Sequence, residues 1–246
     1  MITIDLNCDM GEGIGNDAQI MPFISSANIA CGYHAGDADA MKKTVELALQ
    51  HHVAIGAHPG FDDKANFGRT AIQLSHQQLF DLITQQVVAL QKISDALGAT
   101  VHHVKPHGAL YNMAAVDMEM SRTIARAIQS VNKNLIVYGL SGSYMIAAAG
   151  ELGLRTAGEV FADRTYQNDG TLTSRKLPNA LIEEEEKSIR QVIQMIEKQT
   201  VQTVSGNSIP IKADTVCIHG DGQHAVAFAQ RIHQTLKAKY IEIKTV

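Results

Sequence analysis

Six short runs of this sequence mix carboxylates, imidazoles, a lysine or an arginine with glycine, and they are where chemistry is to be sought. The first is Asp5-Leu6-Asn7-Cys8-Asp9-Met10-Gly11-Glu12-Gly13, and the second is Cys31-Gly32-Tyr33-His34-Ala35-Gly36-Asp37. Gly56-Ala57-His58-Pro59-Gly60-Phe61-Asp62 with Phe67-Gly68-Arg69 after it, and Lys105-Pro106-His107-Gly108, follow, then Glu159-Val160-Phe161-Ala162-Asp163-Arg164-Thr165-Tyr166, and finally His219-Gly220-Asp221-Gly222. Carboxylates beside imidazoles suit general acid–base work, and a lysine or arginine suits holding an anion or a developing negative charge. Asp5, Asp9, Glu12 and Asp37 are the candidate general bases, and His34, His58 and His107 the candidate proton relays. Lys105 and Arg164, with backbone N–H groups of the glycine loops, are the candidate anchors for carboxylate or phosphate oxygens.

Those runs need elements to bring them together. Each begins where a short apolar, β-branched stretch ends: Ile2 to Leu6, Ala27 to Cys31, Val53 to Ala57, Val101 to Val104, the stretch around Ala157 to Phe161, and Val216 to Ile218; Leu135 to Tyr138 is a seventh such stretch. Such runs suit buried parallel strands. Between them lie helical stripes, among them Leu79, Ile83, Val87, Leu90, Ile93 and Leu97, with Ser75 as N-cap and Gly98 as stop. Further stripes centre on Met41 and Val45, Met120 and Ile128, Ile189 and Ile196, and Phe228 and Leu236. Alternation of strand and helix from end to end predicts an α/β fold with a parallel sheet, and about seven strands fit a (β/α) barrel or an open doubly wound sheet. Val201 to Val204, Ser205-Gly206-Asn207 and Ser208 to Lys212 predict a small hairpin inserted before the last core strand. No linker or repeat divides the chain, so residues 1–246 are expected to form a single domain.

In either parallel fold the C-terminal strand ends converge on one face, where ligands bind. Asp5, Asn7 and Asp9, spaced by two, share one side of their strand. Lys105 precedes a proline, which favours extended geometry at the strand terminus. Other residues fit structural roles better. His51, His52, His76 and His233 sit in or beside helical stripes, and the run Glu183 to Glu186 has the spacing of a solvated helix face. Cys8, Cys31 and Cys217 are placed like small apolar residues, form no C-x-x-C pair and leave an odd thiol, which points to a reducing compartment.

Composition narrows the classes further. The 246 residues are 45% apolar and 19% charged, with 21 Lys plus Arg against 25 Asp plus Glu. A formal charge of −4 with no basic stripe argues against nucleic-acid binding. No apolar run approaches the ~20 residues that span a bilayer, and Met1-Ile2-Thr3-Ile4-Asp5 has no basic leader region, so a cytoplasmic location without membrane attachment is expected. There is no phosphate loop, no G-x-G-x-x-G, no H-E-x-x-H and no cysteine-rich zinc pattern. A metal held by residues of separate strands, such as Asp5, Asn7, Asp9, His34 or His58, stays open.

Taken together, the quoted runs, with Ala27-Asn28-Ile29-Ala30-Cys31 ahead of the second and Val104 and Ala109-Leu110-Tyr111-Asn112 around the fourth, resemble the signature of the LamB/YcsF family, the A subunits of bacterial 5-oxoprolinases. The blocks occur in the family's order along the whole chain. The resemblance implies an incomplete (β/α) barrel of about seven parallel strands, akin to glycoside hydrolases and polysaccharide deacetylases. It implies ATP-dependent cleavage of 5-oxo-L-proline to L-glutamate, with ATP as co-substrate of a complex with B and C subunits. The chain lacks the H-x-x-x-H pair that many such deacetylases use for metal. On this reading Asp5, Asn7, Asp9, Glu12, His34, Asp37, His58, Lys105 and His107 form the catalytic set, and Glu159, Asp163, Arg164, Tyr166, His219 and Asp221 the substrate contacts. The rival expectations are a metal-dependent amidohydrolase or deacetylase, and a non-catalytic module binding a lactam or carbohydrate acid.

Overall fold

Alternate residues of the first strand divide between two environments, and the barrel follows from that division. In the computed structural model, which describes residues 2–220 and 225–246, β1 (Thr3–Met10) turns Ile4, Leu6, Cys8 and Met10 outward into the apolar layer, all 2% exposed or less. Its other face carries Asp5, Asn7 and Asp9 into the lumen.

A four-residue helix α1 (Asp17–Ile20) leads to β2 (Ser26–Ala30), α2 (Ala38–Gln50) and β3 (Ala54–His58). Then come α3 (His76–Ala96), β4 (Val101–Val104), α4 (Gly108–Val116), α5 (Met118–Val131), β5 (Ile136–Leu140), α6 (Tyr144–Glu151) and β6 (Thr156–Phe161). The chain finishes with α7 (Glu185–Lys198), the hairpin β7 (Thr200–Gln202) and β8 (Ser208–Pro210), then β9 (Thr215–Ile218), α8 (Ala225–Ala238) and β10 (Glu242–Ile243). Strands β1 to β6 and β9 pair in parallel in sequence order, and β9 pairs back to β1 through Asp5↔Thr215 to Cys8↔Ile218. The ring therefore has seven strands, one fewer than a complete (β/α) barrel, and is hydrogen-bonded all the way round. This excludes the open doubly wound sheet. The predicted hairpin is present as the antiparallel pair β7–β8.

Helix α3 shows how sequence sets the outer layer. Ser75 accepts from the backbone N–H of Gln78 while the Gln78 side chain accepts from the Ser75 N–H, a complete capping box. Leu79, Ile83, Val87 and Leu90 are buried against the barrel, each contributing about 1.5–3 kcal/mol relative to exposure. Helices α4 and α6, which periodicity did not reveal, are nearly continuous in apolar and alanine residues, so they carry no stripe to read. Strand β10 was also unforeseen. It pairs with Thr3 and Ile4, and brings Thr245 Oγ1 within 3.1 Å of Ser26 Oγ at the barrel floor.

The lumen is polar and layered. At the floor, Ser25 and Ser26 donate to Asp5 Oδ1 (2.6 and 2.7 Å), while Thr215 and Tyr138 donate to Oδ2 (2.6 and 2.9 Å). One layer up, Asn7 Nδ2 donates to Thr215 Oγ1, and Asn28 Nδ2 donates to both Asn7 Oδ1 and Asp9 Oδ1. His103 Nε2 donates to Asn28 Oδ1 at 2.8 Å. Its ring occupies the space a side chain at Gly56 would need, since a Cβ there would overlap the imidazole. Buried polar groups are costly without partners, and this ladder supplies them from floor to mouth.

Candidate active site at the barrel mouth

Lys105 is the centre of the mouth. Directly after β4, the residue is 2% exposed, and its ammonium sits 2.8 Å from Asp9 Oδ1 and 2.9 Å from Glu159 Oε1. It also donates to Asn7 Oδ1 (3.3 Å) and Cys217 Sγ (3.2 Å) and lies 5.6 Å from the Phe161 ring centroid. Burial opposes its charge, but the Asp9 and Glu159 carboxylates outweigh burial and raise its pKa well above the ordinary range. For Asp9, too, burial works against the charge, and the His58 imidazole and Lys105 ammonium override it and hold the carboxyl well below its ordinary value. Both groups are therefore ionised at neutral pH.

Around this pair stand the imidazoles. His58, the last residue of β3, places Nδ1 2.7 Å from the Lys105 carbonyl and Nε2 3.3 Å from Asp9 Oδ2. His107 immediately precedes α4; its Nε2 is 2.9 Å from the Phe67 carbonyl and its Nδ1 2.9 Å from His58 Nε2. Burial, then His58, lowers its pKa to about 3. His34 stacks face-on against His107, centroids 3.8 Å apart, and burial drives its pKa far below the ordinary value. Glycine loops make the cradle: a Cβ at Gly60 would lie 2.6 Å from His34 Nδ1, and one at Gly68, which has φ +63°, would meet His34 and His107 at 2.8 and 2.9 Å. The fully buried Gln86 of α3 pins that loop, accepting from Gly60 N–H and donating to Gly60 C=O.

A second pair flanks the lysine. His219, just beyond β9, holds Nδ1 2.7 and 2.8 Å from the two oxygens of Asp163. Burial opposes ionisation of Asp163, and His219 overrides it, so the carboxyl is held below its ordinary value. A carboxylate fixing Nδ1–H leaves Nε2 as an acceptor, the arrangement of an oriented general base.

A cavity of about 550 Å³ opens over these groups, within the range of small-ligand sites. Asp9, Glu12, His58, Lys105, His107, Arg164 and His219 line it among the expected residues. Asn7, Glu159, His34 and Asp163 stand directly behind that lining, each bonded to or packed on a residue that forms it. Three residues are placed elsewhere. Asp5 lies at the floor, where burial raises its pKa and four hydroxyls partly counter that effect, so it does not reach the cavity as a base. Asp37 caps α2, accepting from Ala40 N–H at 2.8 Å. Tyr166 is fully buried with its hydroxyl accepting from Phe161 N–H, a structural brace for the β6 end. Arg164 lines the cavity, but its guanidinium donates to the Thr173 and Ala180 carbonyls, so it shapes the long loop after β6. Asp221 falls outside the described residues.

Sequence reasoning gave no role to Arg69, Arg175 and Lys176, cationic residues of the cavity wall. Arg69 stands in the Phe67-Gly68-Arg69 run that follows β3 but was given no role; Arg175 and Lys176 lie in the long segment between β6 and α7, which carries no periodic signal. The three cysteines are free and buried, and burial raises the thiol pKa of each, so none is a nucleophile at neutral pH. Among the described residues no helix is long and apolar enough to cross a membrane.

The sequence pattern of the LamB/YcsF family matches residues 4–246. The chain belongs to the LamB/YcsF family. Curated LamB/YcsF relatives named as the A subunit of 5-oxoprolinase include proteins of Tolumonas auensis, 51% identical with both chains fully covered, and Shouchella clausii, 54% identical over 99% of this chain and 98% of that one. The Bacillus subtilis protein of that name is 50% identical over 100% and 98%. Among solved structures, the lactam utilization protein of Thermus thermophilus superposes with a TM-score of 0.93 at 36% identity, covering all of both chains. A family 4 carbohydrate esterase from Streptomyces lividans, at 12% identity and a TM-score of 0.52 over 98% and 91%, shares the fold alone.

Proposed function

We infer that this protein is the A component of an ATP-hydrolysing 5-oxoprolinase, opening the lactam of 5-oxo-L-proline to L-glutamate together with B and C subunits in the cytoplasm. The observation that carries the reading is the ionised Asp9–Lys105 pair beside the Asp163–His219 dyad under one cavity, in a chain about half identical along its whole length to relatives of that name.

A five-membered lactam is a resonance-stabilised amide, and its carbonyl needs activation before water can open it. Phosphorylation of the lactam oxygen from ATP supplies that activation, a step this reading gives to the partner subunits. Substrate carboxylate is held by the cationic wall of Arg69, Arg175 and Lys176, where the two guanidinium groups suit bidentate contact. His219, oriented by Asp163, takes a proton from water as its oxygen bonds to the ring carbon. The imidazolium returns that proton to the ring nitrogen, the proton of the new hydroxyl follows by the same route as the ring C–N bond breaks, and a second water cleaves the resulting γ-glutamyl phosphate to glutamate and phosphate. Lys105, fixed by Asp9 and Glu159, provides a preorganised positive charge for the oxygen on which negative charge develops.

The test is reconstitution. The chain, its B and C partners, ATP and 5-oxoproline should yield glutamate and phosphate in step, and omission of the chain should abolish glutamate. Assembled, folded components that form no glutamate would refute the assignment.

A further inference from the structure

Two imidazole nitrogens face each other at the mouth. The Lys105 carbonyl can only accept, so His58 Nδ1 carries its proton; the Phe67 carbonyl likewise fixes the proton of His107 on Nε2. What remains is His58 Nε2 and His107 Nδ1, 2.9 Å apart, with Asp9 Oδ2 3.3 Å from the former. Phe67 holds a left-handed backbone, φ +55°, to turn its carbonyl toward His107, a conformation bulky residues avoid unless something requires it. Nitrogens so placed beside two carboxylates need a positive centre between them, either the proton of an imidazolium at His58 or a bound cation.

We propose that His58 Nε2, His107 Nδ1 and Glu12 Oε1 bind a divalent transition-metal cation of the zinc class, with its open position toward the cavity. The four donors of Glu12, His34, His58 and His107 lie within 4.8 Å of one another. Glu12 Oε1 is 3.5 Å from His107 Nδ1 and 3.4 Å from His34 Nε2. The Glu12–His107 separation matches the edge of a tetrahedron built on bonds of about 2.0–2.2 Å, about 3.3–3.5 Å, while the 2.9 Å between His58 Nε2 and His107 Nδ1 must open by about 0.5 Å to admit the ion. Backbone carbonyls that fix the far nitrogen of each imidazole are the usual outer support of a ligating histidine. Glu12, His58 and His107 all line the cavity, which leaves a coordination position for water or a substrate oxygen, as in catalytic zinc sites.

His34 has a different part. Its ring is parallel to His107 within 4°, so its in-plane lone pair runs in a parallel plane and cannot meet the same ion as the ring stands. Buried at 1% exposure with neither nitrogen hydrogen-bonded, it is a positioning residue that stacks on His107 and abuts Glu12. Each donor comes from the end of a different strand or the loop after it, so no H-x-x-x-H spacing announces the site. The inference concerns ion binding by this chain and does not depend on the lactam reading.

The experiment uses the full chain, stripped with chelator and then dialysed against Zn²⁺ or Co²⁺. Elemental analysis should find close to one ion per chain, and the Co²⁺ form should show the visible absorption of a low-symmetry nitrogen–oxygen site. His58→Gln and His107→Gln should each weaken Zn²⁺ binding by at least ~100-fold by calorimetry, whereas His233→Gln should leave it unchanged. Should those variants misfold, histidine ¹⁵N spectra of the wild-type chain decide: His58 Nε2 and His107 Nδ1 should shift on Zn²⁺ addition. A folded wild-type chain that retains no ion from either metal, with one proton shared between those nitrogens, would overturn the proposal.

Discussion

Asp5 and Asp9 stand on one strand, four residues apart, facing the same lumen, and their carboxyl groups are driven in opposite directions. At the floor Asp5 meets only hydroxyls, burial dominates, and its pKa is raised. At the mouth Asp9 meets an ammonium and an imidazole, which overcome the same burial and hold it ionised. Burial opposes the charge of both. The difference lies in whether the neighbours carry or can take up charge, and it separates a structural floor from a reactive mouth.

The largest effect is expected at Lys105. Replacing it with methionine strands the buried Asp9 and Glu159 carboxylates, so unfolding measurements should show a loss of about 3–5 kcal/mol, and glutamate formation by the assembled enzyme should fall by at least ~10³-fold. Next in size is the dyad. Asp163→Asn or His219→Gln should lower kcat by about 10²–10⁴-fold while the folded state survives, because both groups are partly exposed. A rise of the same size in KM alone would make His219 a binding contact instead.

Asp5→Asn is expected to act on stability and its pH dependence. A folded pKa raised above the unfolded ~3.9 means that protonation favours folding; this contribution is complete below ~3.9 and fades as pH rises through the folded value. Wild-type chain should therefore gain stability from this group as pH falls through that window, and the asparagine variant should lack the gain. Asp9 has the reverse sign: its contribution is complete above ~3.9 and disappears as pH falls through its lowered value. Asp37→Ala should have the smallest effect, loss of one helix cap at about 1 kcal/mol by thermal or denaturant unfolding, with turnover unchanged.

The barrel was legible in the sequence because each strand is a short β-branched run and most outer helices have a stripe facing it. That reading failed at α4 and α6, where uniform apolarity erases period, and at β10, whose paired residues are too few to signal a strand. For the site, the strand-end position located Asp9, His58, Lys105 and His219 at the cavity. Spacing by two also selected Asp5, because it reports which side of the strand a residue faces and says nothing of depth along the barrel. Asp37 resembled its neighbours in composition, yet it follows a turn that starts a helix, and capping claims it. The floor ladder of Ser26, Asn28, His103, Tyr138 and Thr215 was present as the same period in β2, β4, β5 and β9, but neutral side chains drew no notice.

Glutamate production by Asp5→Asn and Asp9→Asn chains, each assembled with B and C subunits and supplied with ATP and 5-oxoproline, sets floor against mouth most directly. The asparagine at position 5 should leave turnover within a few-fold of wild type, and the one at position 9 should reduce it by ~10²-fold or more. Equal losses in the two variants, or the greater loss at position 5, would contradict the account.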